Sequence, residues 1–193
     1  MKHYASIVAA ILLAASGAAL AQSAAQYIAL PSYRVGPYAA GGSGFYGGII
    51  DYFNLVNLSG GVNGVKITWE ECETEYNPSR GVECYERLKT KNGGATLVEP
   101  LSTGVAYGIL DRLAVDKIPM TMIGYGRSDA ANGKVFPYVF PLITSYWNQA
   151  AGMIKYLVAN GADVNAANNK GLTPISRTFN TKDKELLRSL GAN

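Results

Sequence analysis

Along most of this 193-residue chain, short apolar segments typical of strands alternate with segments in which apolar residues recur at helical spacing. Each of the first three strand candidates is followed by a helix candidate before the next strand, so long crossovers rather than tight hairpins join the first four strands. A crossover returns the chain to the same end of the sheet, and the strands that it joins therefore run parallel. The alternation predicts a parallel sheet that is covered by helices on both faces.

Five strands and four helices are expected from this pattern. The strand candidates are residues 27–30, 65–69, 95–98, 118–123 and a short segment at 135–140. The helix candidates are the stripes at 45–56, 82–88 and 105–113 and a last helix at 145–160. We therefore predict an α/β fold with a Rossmann-like parallel sheet. Ligands of such sheets bind beyond the carboxyl ends of the strands, which selects the loops 32–43, 100–104 and 124–129.

Residues 1–21 have the pattern of a secretory signal peptide. Lys2 and His3 precede an uncharged run over 5–20, and Ala19 and Ala21 supply the small residues of a cleavage site. The apolar run is shorter than a bilayer span of about 20 residues. We predict a secreted, periplasmic protein that is cleaved near Ala21 and is not inserted in the membrane afterwards.

His3 is the only histidine of the chain, so the cleaved protein would contain none. This excludes a Ser-His-Asp triad, a Cys-His pair and a His-ligated zinc site. We therefore predict a protein that is not an enzyme and has no metal and no cofactor. The formal net charge of +3 at pH 7 gives no argument for binding nucleic acid.

Two cysteines, Cys72 and Cys84, follow the predicted leader. An even number of cysteines in an oxidising compartment favours a disulfide. The alternative is a pair of buried or free thiols. Their spacing differs from that of a Cys-x-x-Cys redox pair, so we do not expect reactive thiol chemistry.

Four motifs occur in a fixed order, three of them after predicted strands or helices and the fourth within the last strand candidate. They are GPYA at 36–39, NLSGGVNG at 57–64, PLSTG at 100–104 and FPYVF at 136–140. Together they resemble the first lobe of a periplasmic ABC-transporter solute-binding protein of the branched-chain amino-acid (leucine-binding) type. The resemblance implies a single lobe of a type I periplasmic binding protein over residues 22–155.

The resemblance also implies which residues bind the solute, an amino acid or a similar small carboxylate. A hydroxyl and backbone N–H groups of the first lobe hold the carboxylate, and the loop after the fourth strand forms the opposite wall. The matching ligand-binding positions are Ser102, Thr103, Gly104, Tyr125, Gly126 and Arg127. The family favours small residues and Thr on that loop, so Tyr125 and Arg127 depart from its pattern and leave the solute open.

Two of these assignments have structural alternatives. Ser102 and Thr103 begin a helix, where a hydroxyl also serves as an N-cap, and Arg127 also fits an exposed position without ligand contact. Tyr33, Arg34 and Tyr38 lie on the first crevice loop, and of these Tyr38 is added to the ligand-binding set because aromatic rings wall small-molecule pockets. The acidic cluster Glu70, Glu71, Glu73 and Glu75 is interpreted as a solvated loop.

Gly42, Gly44 and Gly47 match a dinucleotide-binding spacing, and Tyr85 with Lys89 matches a dehydrogenase pair. The glycine fingerprint requires its glycines at the turn from the first strand to the helix. The first strand ends well before Gly42, so we reject a dinucleotide site.

Residues 156–193 are similar to an ankyrin repeat. GADVNA at 161–166 precedes GLTPI at 171–175, and Gly191-Ala192-Asn193 echoes the segment beginning at Gly161 at an offset of 30 positions. A lone repeat cannot bury a continuous core, so this tail either docks on the α/β body or is poorly ordered. We expect a solute-binding component that works with an ABC permease. The alternative is a non-transport protein-interaction module that uses the lobe and the tail.

Overall fold

A single sheet of five parallel strands organises the protein in the computed structural model, which describes residues 25–193 except 124, 125, 127, 179 and 180. The strands are β1 (Ala25–Ser32), β2 (Lys66–Glu73), β3 (Leu97–Val98), β4 (Met120–Met122) and β5 (Val139–Pro141). Their spatial order is β2-β1-β3-β4-β5, and each neighbouring pair is parallel. The predicted signal peptide lies outside the described residues.

Helices connect the strands and continue beyond them. They are α1 (Ala39–Leu58), α2 (Pro78–Leu88), α3 (Thr103–Asp116), α4 (Tyr146–Ala159), α5 (Pro174–Arg177) and α6 (Thr181–Ser189), with short 3-10 turns at Lys91–Gly93 and Ser128–Ala131. No helix within the described ranges is both long and apolar enough to cross a bilayer. The predicted α/β class, with a parallel sheet flanked by helices, is confirmed.

Two apolar clusters lie on opposite faces of the sheet, because successive strand side chains point to opposite sides. Ile28 and Leu30 of β1 pack with α1, whereas Ala29 between them packs with α2 and α3. Leu97 and Val98 of β3 divide between the clusters in the same way. β1 and β3 therefore have packed neighbours on both faces, as a crossover topology requires of inner strands.

The boundaries of all five strands differ from the predicted ones, most of all in β1, β2 and β5. β1 continues through Pro31 to Ser32, although proline was expected to end it. The carbonyls of Tyr27 and Ala29 accept from the β3 side, so the missing N–H of Pro31 points to where β3 has already ended. β5 begins at Val139 rather than at 135, because the chain before it forms turns onto Asn132.

The glycines that match a dinucleotide spacing lie inside α1 and not at its beginning. A Cβ on Gly42 would lie 1.8 Å from the carbonyl oxygen of Tyr33, whereas one on Gly44 or Gly47 would meet nothing within 4 Å. Gly42 therefore lets α1 pack directly on the backbone that follows β1. Of the three glycines, it is the one whose position has no room for a side chain.

The Tyr85 and Lys89 pair joins two helices and does not face a ligand crevice. The Tyr85 hydroxyl donates to Asp116 Oδ2 at 2.8 Å, and Lys89 Nζ lies 3.0 Å from the same oxygen. Asp116 ends α3, so the pair ties α2 to the end of α3. Tyr85 is completely buried, as a structural side chain should be.

Cys72 and Cys84 form a disulfide between β2 and α2, with both side chains buried. The bond closes the loop that carries Tyr76, a residue that borders a cavity at the carboxyl edge of the sheet. Closing a loop of this length stabilises a fold by about 3 kcal/mol in the chain-entropy model.

The C-terminal segment repeats one local geometry at the offset predicted from the sequence. Ala162 N donates to Leu157 O at 3.0 Å, and Ala192 N donates to Leu187 O at the same distance. The glycine that precedes each alanine has a positive φ, as in a glycine-terminated helix end. Asn165 joins the two ends, because its amide donates to Gly191 O and its Oδ1 accepts from Asn193 N.

We expect Gly42→Ala to lower the free energy of unfolding by about 3 kcal/mol, because the new methyl group overlaps the Tyr33 backbone. Gly44→Ala is the matched control in the same helix, and it should raise the stability by up to about 1 kcal/mol. Urea denaturation followed by circular dichroism measures both changes. Equal stability of the two variants would show that α1 does not rest on Tyr33.

Candidate functional site

A crevice opens where the order of the strands reverses. From β1 the chain crosses to β2 on one side, and from β2 it crosses back over β1 to β3 on the other. The loops that leave β1 and β3 therefore diverge at the carboxyl edge of the sheet, which is where open α/β sheets bind ligands. Here these loops are residues 33–38 and 99–102.

The hydroxyl of Tyr46 ties the two crevice loops together. It lies 3.0 Å from Pro31 O, at the end of β1, and 2.7 Å from Pro100 O, just after β3. Tyr46 is completely buried, and this burial raises the pKa of its hydroxyl well above the usual value. The group therefore remains a neutral donor that serves both carbonyls.

Arg34 anchors the loop after β1 to the end of β2. Its Nε and Nη2 donate to the two carboxylate oxygens of Glu71 at 2.6 and 2.8 Å, and its backbone N donates to Glu73 at 2.7 Å. The hydrogen bond with Glu71 raises the pKa of the guanidinium further. A two-pronged contact of this kind sets orientation as well as charge.

The acidic cluster at 70–75 is not the solvated loop that was predicted, because β2 continues to Glu73 and carries three of the four carboxylates. The cluster takes part in such ion pairs. Glu70 pairs with Lys91, and Glu75 pairs with Arg80. Within the described part of the chain, no group of three or more His, Cys, Asp or Glu side chains is placed to hold a metal ion.

A cavity of about 370 Å³ lies between the crevice loops. Four tyrosines border it together with small and apolar residues and one threonine. The lining is Tyr33, Tyr38, Tyr76, Tyr146, Pro37, Ala40, Gly41, Leu101 and Thr103. None of these described side chains carries a formal charge.

The tyrosines of the cavity wall pack on one another. The rings of Tyr33 and Tyr76 meet edge to face with centroids 4.9 Å apart, and those of Tyr38 and Tyr76 lie 4.4 Å apart. Tyr33 also contacts the buried ring of Tyr46 at 5.9 Å. The wall is thus connected to the hydroxyl that ties the loops.

The polar part of the cavity lies at the beginning of α3. Thr103 Oγ1 is 3.2 Å from the hydroxyl of Tyr146, the first residue of α4. Thr103 is also the first residue of α3, whose first N–H groups have no carbonyl partner within the helix. This end of a helix attracts anions because its dipole is positive there.

The other predicted ligand-binding residues take different places. Ser102 is buried, and its hydroxyl accepts from Val105 N at 3.3 Å, so it caps α3. A Cβ on Gly104 would meet Pro78 of α2, which puts Gly104 at a helix contact and not in the lining. Gly126 is buried beside Met122, and its carbonyl accepts from Tyr146 N. Tyr125 and Arg127 lie outside the described residues.

Tyr76 and Tyr146 border the cavity but were not predicted. Both follow the carboxyl ends of strands, Tyr76 after β2 and Tyr146 after β5, and each stands at or just before the start of a helix. This position between a strand end and a helix start is the sequence signal that could have identified them as crevice residues. Only the strand order shows that loops so far apart in the sequence share one crevice.

Glu99 lies directly beneath the site with an exposed fraction of 3%. Its carboxylate accepts from Leu101 N at 2.9 Å and from the hydroxyl of Thr121, both neutral donors. Burial raises the pKa of Glu99 to about 7, and the two hydrogen bonds only partly oppose that shift. The side chain thus supports the turn at Leu101, whose φ of 50° is in the left-handed region.

Comparison with known proteins identifies relatives of this architecture. A family model described as periplasmic binding protein matches residues 25–182, a range that continues past residue 156 into the predicted tail. No curated protein sequence matches the chain.

Among solved structures, one described as an ABC transporter permease from the Pseudomonas fluorescens group is 40% identical, with a TM-score of 0.65, and the match covers 74% of this chain and 35% of that one. A fatty acid ABC transporter substrate-binding protein from Thermomonospora curvata has a TM-score of 0.69 at 17% identity, covering 88% and 43%. A solute-binding protein of an ABC transporter from R. palustris, in complex with 4-hydroxybenzoate, has a TM-score of 0.64 at 18% identity, covering 88% and 45%.

The chain therefore spans less than half the length of these three proteins. The two likenesses below 25% identity concern the fold alone. All three matches agree with the parallel sheet described above.

We expect Tyr46→Phe to lower the free energy of unfolding by about 2 kcal/mol, because it leaves two buried carbonyls without their donor. Tyr52→Phe is the matched control, since Tyr52 lies on the same helix and is 64% exposed. Chemical denaturation compares the two variants. A Tyr46→Phe protein as stable as the control would contradict the role assigned to this hydroxyl.

The stability should fall as pH rises from about 5 to about 8. The folded protein holds the Glu99 proton up to a pKa of about 7, whereas an ordinary Glu releases it near 4.5, so the ionised form opposes folding. In Glu99→Gln the amide oxygen can accept from Leu101 N while the amide N–H donates to the Thr121 hydroxyl, so both contacts persist without a charge. The substitution should remove up to about 3 kcal/mol of this decline. The control is Glu83→Gln at an exposed position. Urea unfolding at a series of pH values measures the stability of each variant. The assignment is wrong if the stability of Glu99→Gln falls with pH as much as that of the native protein.

Proposed function

Because this chain belongs to the periplasmic binding protein family, we propose that its lobe is the extracytoplasmic solute-binding part of an ABC transporter for amino acids or similar small carboxylates. The observation that carries the proposal is the cavity at the β1/β3 crevice, with Thr103 and the beginning of α3 on its wall. The proposed partners are the solute and an ABC permease. The proposed compartment is the periplasm, reached through the signal peptide of residues 1–21.

A carboxylate fits this cavity because neutral donors and a helix dipole can hold an anion without a basic side chain. The Thr103 hydroxyl and the first N–H groups of α3 are the donors. Two of the structural relatives are described with ligands of this kind, since a fatty acid and 4-hydroxybenzoate are both carboxylic acids. This common chemistry supports a carboxylate for the present chain.

We propose that Tyr125 and Arg127 face the solute from the other side of the crevice. In the binding-protein architecture, two lobes enclose the solute, and this lobe offers one wall. One wall leaves part of the solute in water and has no closing motion to retain it. We therefore expect weak binding by the lobe on its own.

The second candidate function is a protein-interaction module formed by the lobe with an ankyrin-like tail at 156–193. One observation favours it: no described side chain of α4 is buried, and Met153, Tyr156 and Leu157 are all exposed. Leu142 and Ile143, which precede the helix in the sequence, are exposed as well. Contiguous exposed apolar residues mark interaction surfaces, and the repeated helix-end geometry of the tail suits a stacking unit.

Isothermal titration calorimetry against leucine, phenylalanine, benzoate and acetate tests the first candidate. Micromolar to millimolar binding of a carboxylate is expected, and Thr103→Val should weaken it about tenfold because a hydrogen bond to an anion is lost. Thr68→Val, at an exposed position on the edge strand β2, is the matched control and should bind as the native protein does.

The same preparation decides between the two candidates. If no ligand of the panel binds and light scattering shows a dimer, solute binding is rejected and the interaction module is favoured. Binding that Thr103→Val leaves unchanged would show that the solute does not meet α3.

A further inference from the structure

Tyrosine is concentrated around the cavity. Thirteen of the 193 residues are tyrosine, yet four of the nine residues that line the cavity are tyrosine. Pro37 and Leu101 extend the same apolar wall. A surface of this kind binds apolar solute groups through their faces rather than through charge.

The aromatic wall is held in place before any solute arrives. Tyr46 is fixed by its bonds to two backbone carbonyls, Tyr33 packs on its edge, and Tyr76 packs on Tyr33. Tyr38 ends this row, in contact with Tyr76 and 57% exposed. Rings that are already packed against one another lose little conformational entropy when a solute stacks on the last of them.

The polar groups stand at a different part of the cavity. Thr103 and Tyr146 place two hydroxyls 3.2 Å apart, while the described lining has no acidic side chain that could pair with an ammonium group. The cavity volume of about 370 Å³ is near the lower end of the range for small-molecule pockets. A solute with one ring and one anionic group matches this division.

We propose that the preferred solute of this site is an aromatic carboxylate whose ring stacks on Tyr38 while its carboxylate meets Thr103. The inference rests on the solute-binding function proposed above and narrows it to one chemical class. Ring stacking stabilises a complex more than the burial of the same apolar area does. We expect this additional stabilisation to increase the affinity about fivefold.

Calorimetry with benzoate and cyclohexanecarboxylate tests the inference, because the two acids share a carboxylate and a six-membered ring and differ in aromaticity. The native protein should bind benzoate about fivefold more tightly. Tyr38→Leu should reduce that ratio to about one. The side chain of Tyr38 is exposed and makes no capping hydrogen bond in α1, so the variant should fold, which circular dichroism checks.

Tyr52→Leu is the matched control, an exposed tyrosine of the same helix outside the cavity lining, and it should keep the fivefold preference. Equal affinities of the two acids for the native protein would overturn the aromatic preference and leave the proposed function standing. A preference that survives in Tyr38→Leu would overturn the stacking contact. If neither acid nor any member of the earlier panel binds, the proposed function fails together with the inference.

Discussion

The pairing of β1 with β2 on one side and β3 on the other is the constraint on which the structure depends. It separates the loops that follow β1 and β3 and so creates the crevice. The same pairing puts Pro31 O and Pro100 O within reach of one buried hydroxyl, that of Tyr46. Because this hydroxyl lies within hydrogen-bond distance of both carbonyls, α1, which carries Tyr46, is fixed to both crevice loops.

Charge is kept near the site but out of its described lining. Arg34 is engaged by Glu71 and Glu73, which orients the loop after β1 without exposing a free cation to the cavity. Glu99 lies beneath the loop after β3, where burial favours its protonated form. The wall of the cavity is consequently aromatic with two hydroxyls, and the field of the α3 dipole acts on it with little competition from charged lining groups.

Much of the fold follows from local pattern, since period and turn residues predict all five strands and the helices between them. The disagreements occur where a distant neighbour decides. β1 passes through Pro31 because β3 has ended beside it, which the local residues cannot show. The family resemblance led to Thr103, and the position of an aromatic ring on the first crevice loop led to Tyr38. Tyr76 and Tyr146 were missed because only the strand order brings their loops to the same cavity.

The sequence by itself determined the α/β class, the parallel direction of the strands and the edge of the sheet at which a ligand can bind. These properties depend on residue periodicity and on connection length, which are local. Only the tertiary structure decided that Ser102 caps a helix while Thr103 borders the cavity, and that four tyrosines share one wall. Whether a residue caps a helix or lines the cavity depends on which side chains meet at the edge of the sheet. Those contacts are defined only when all strands are paired in register.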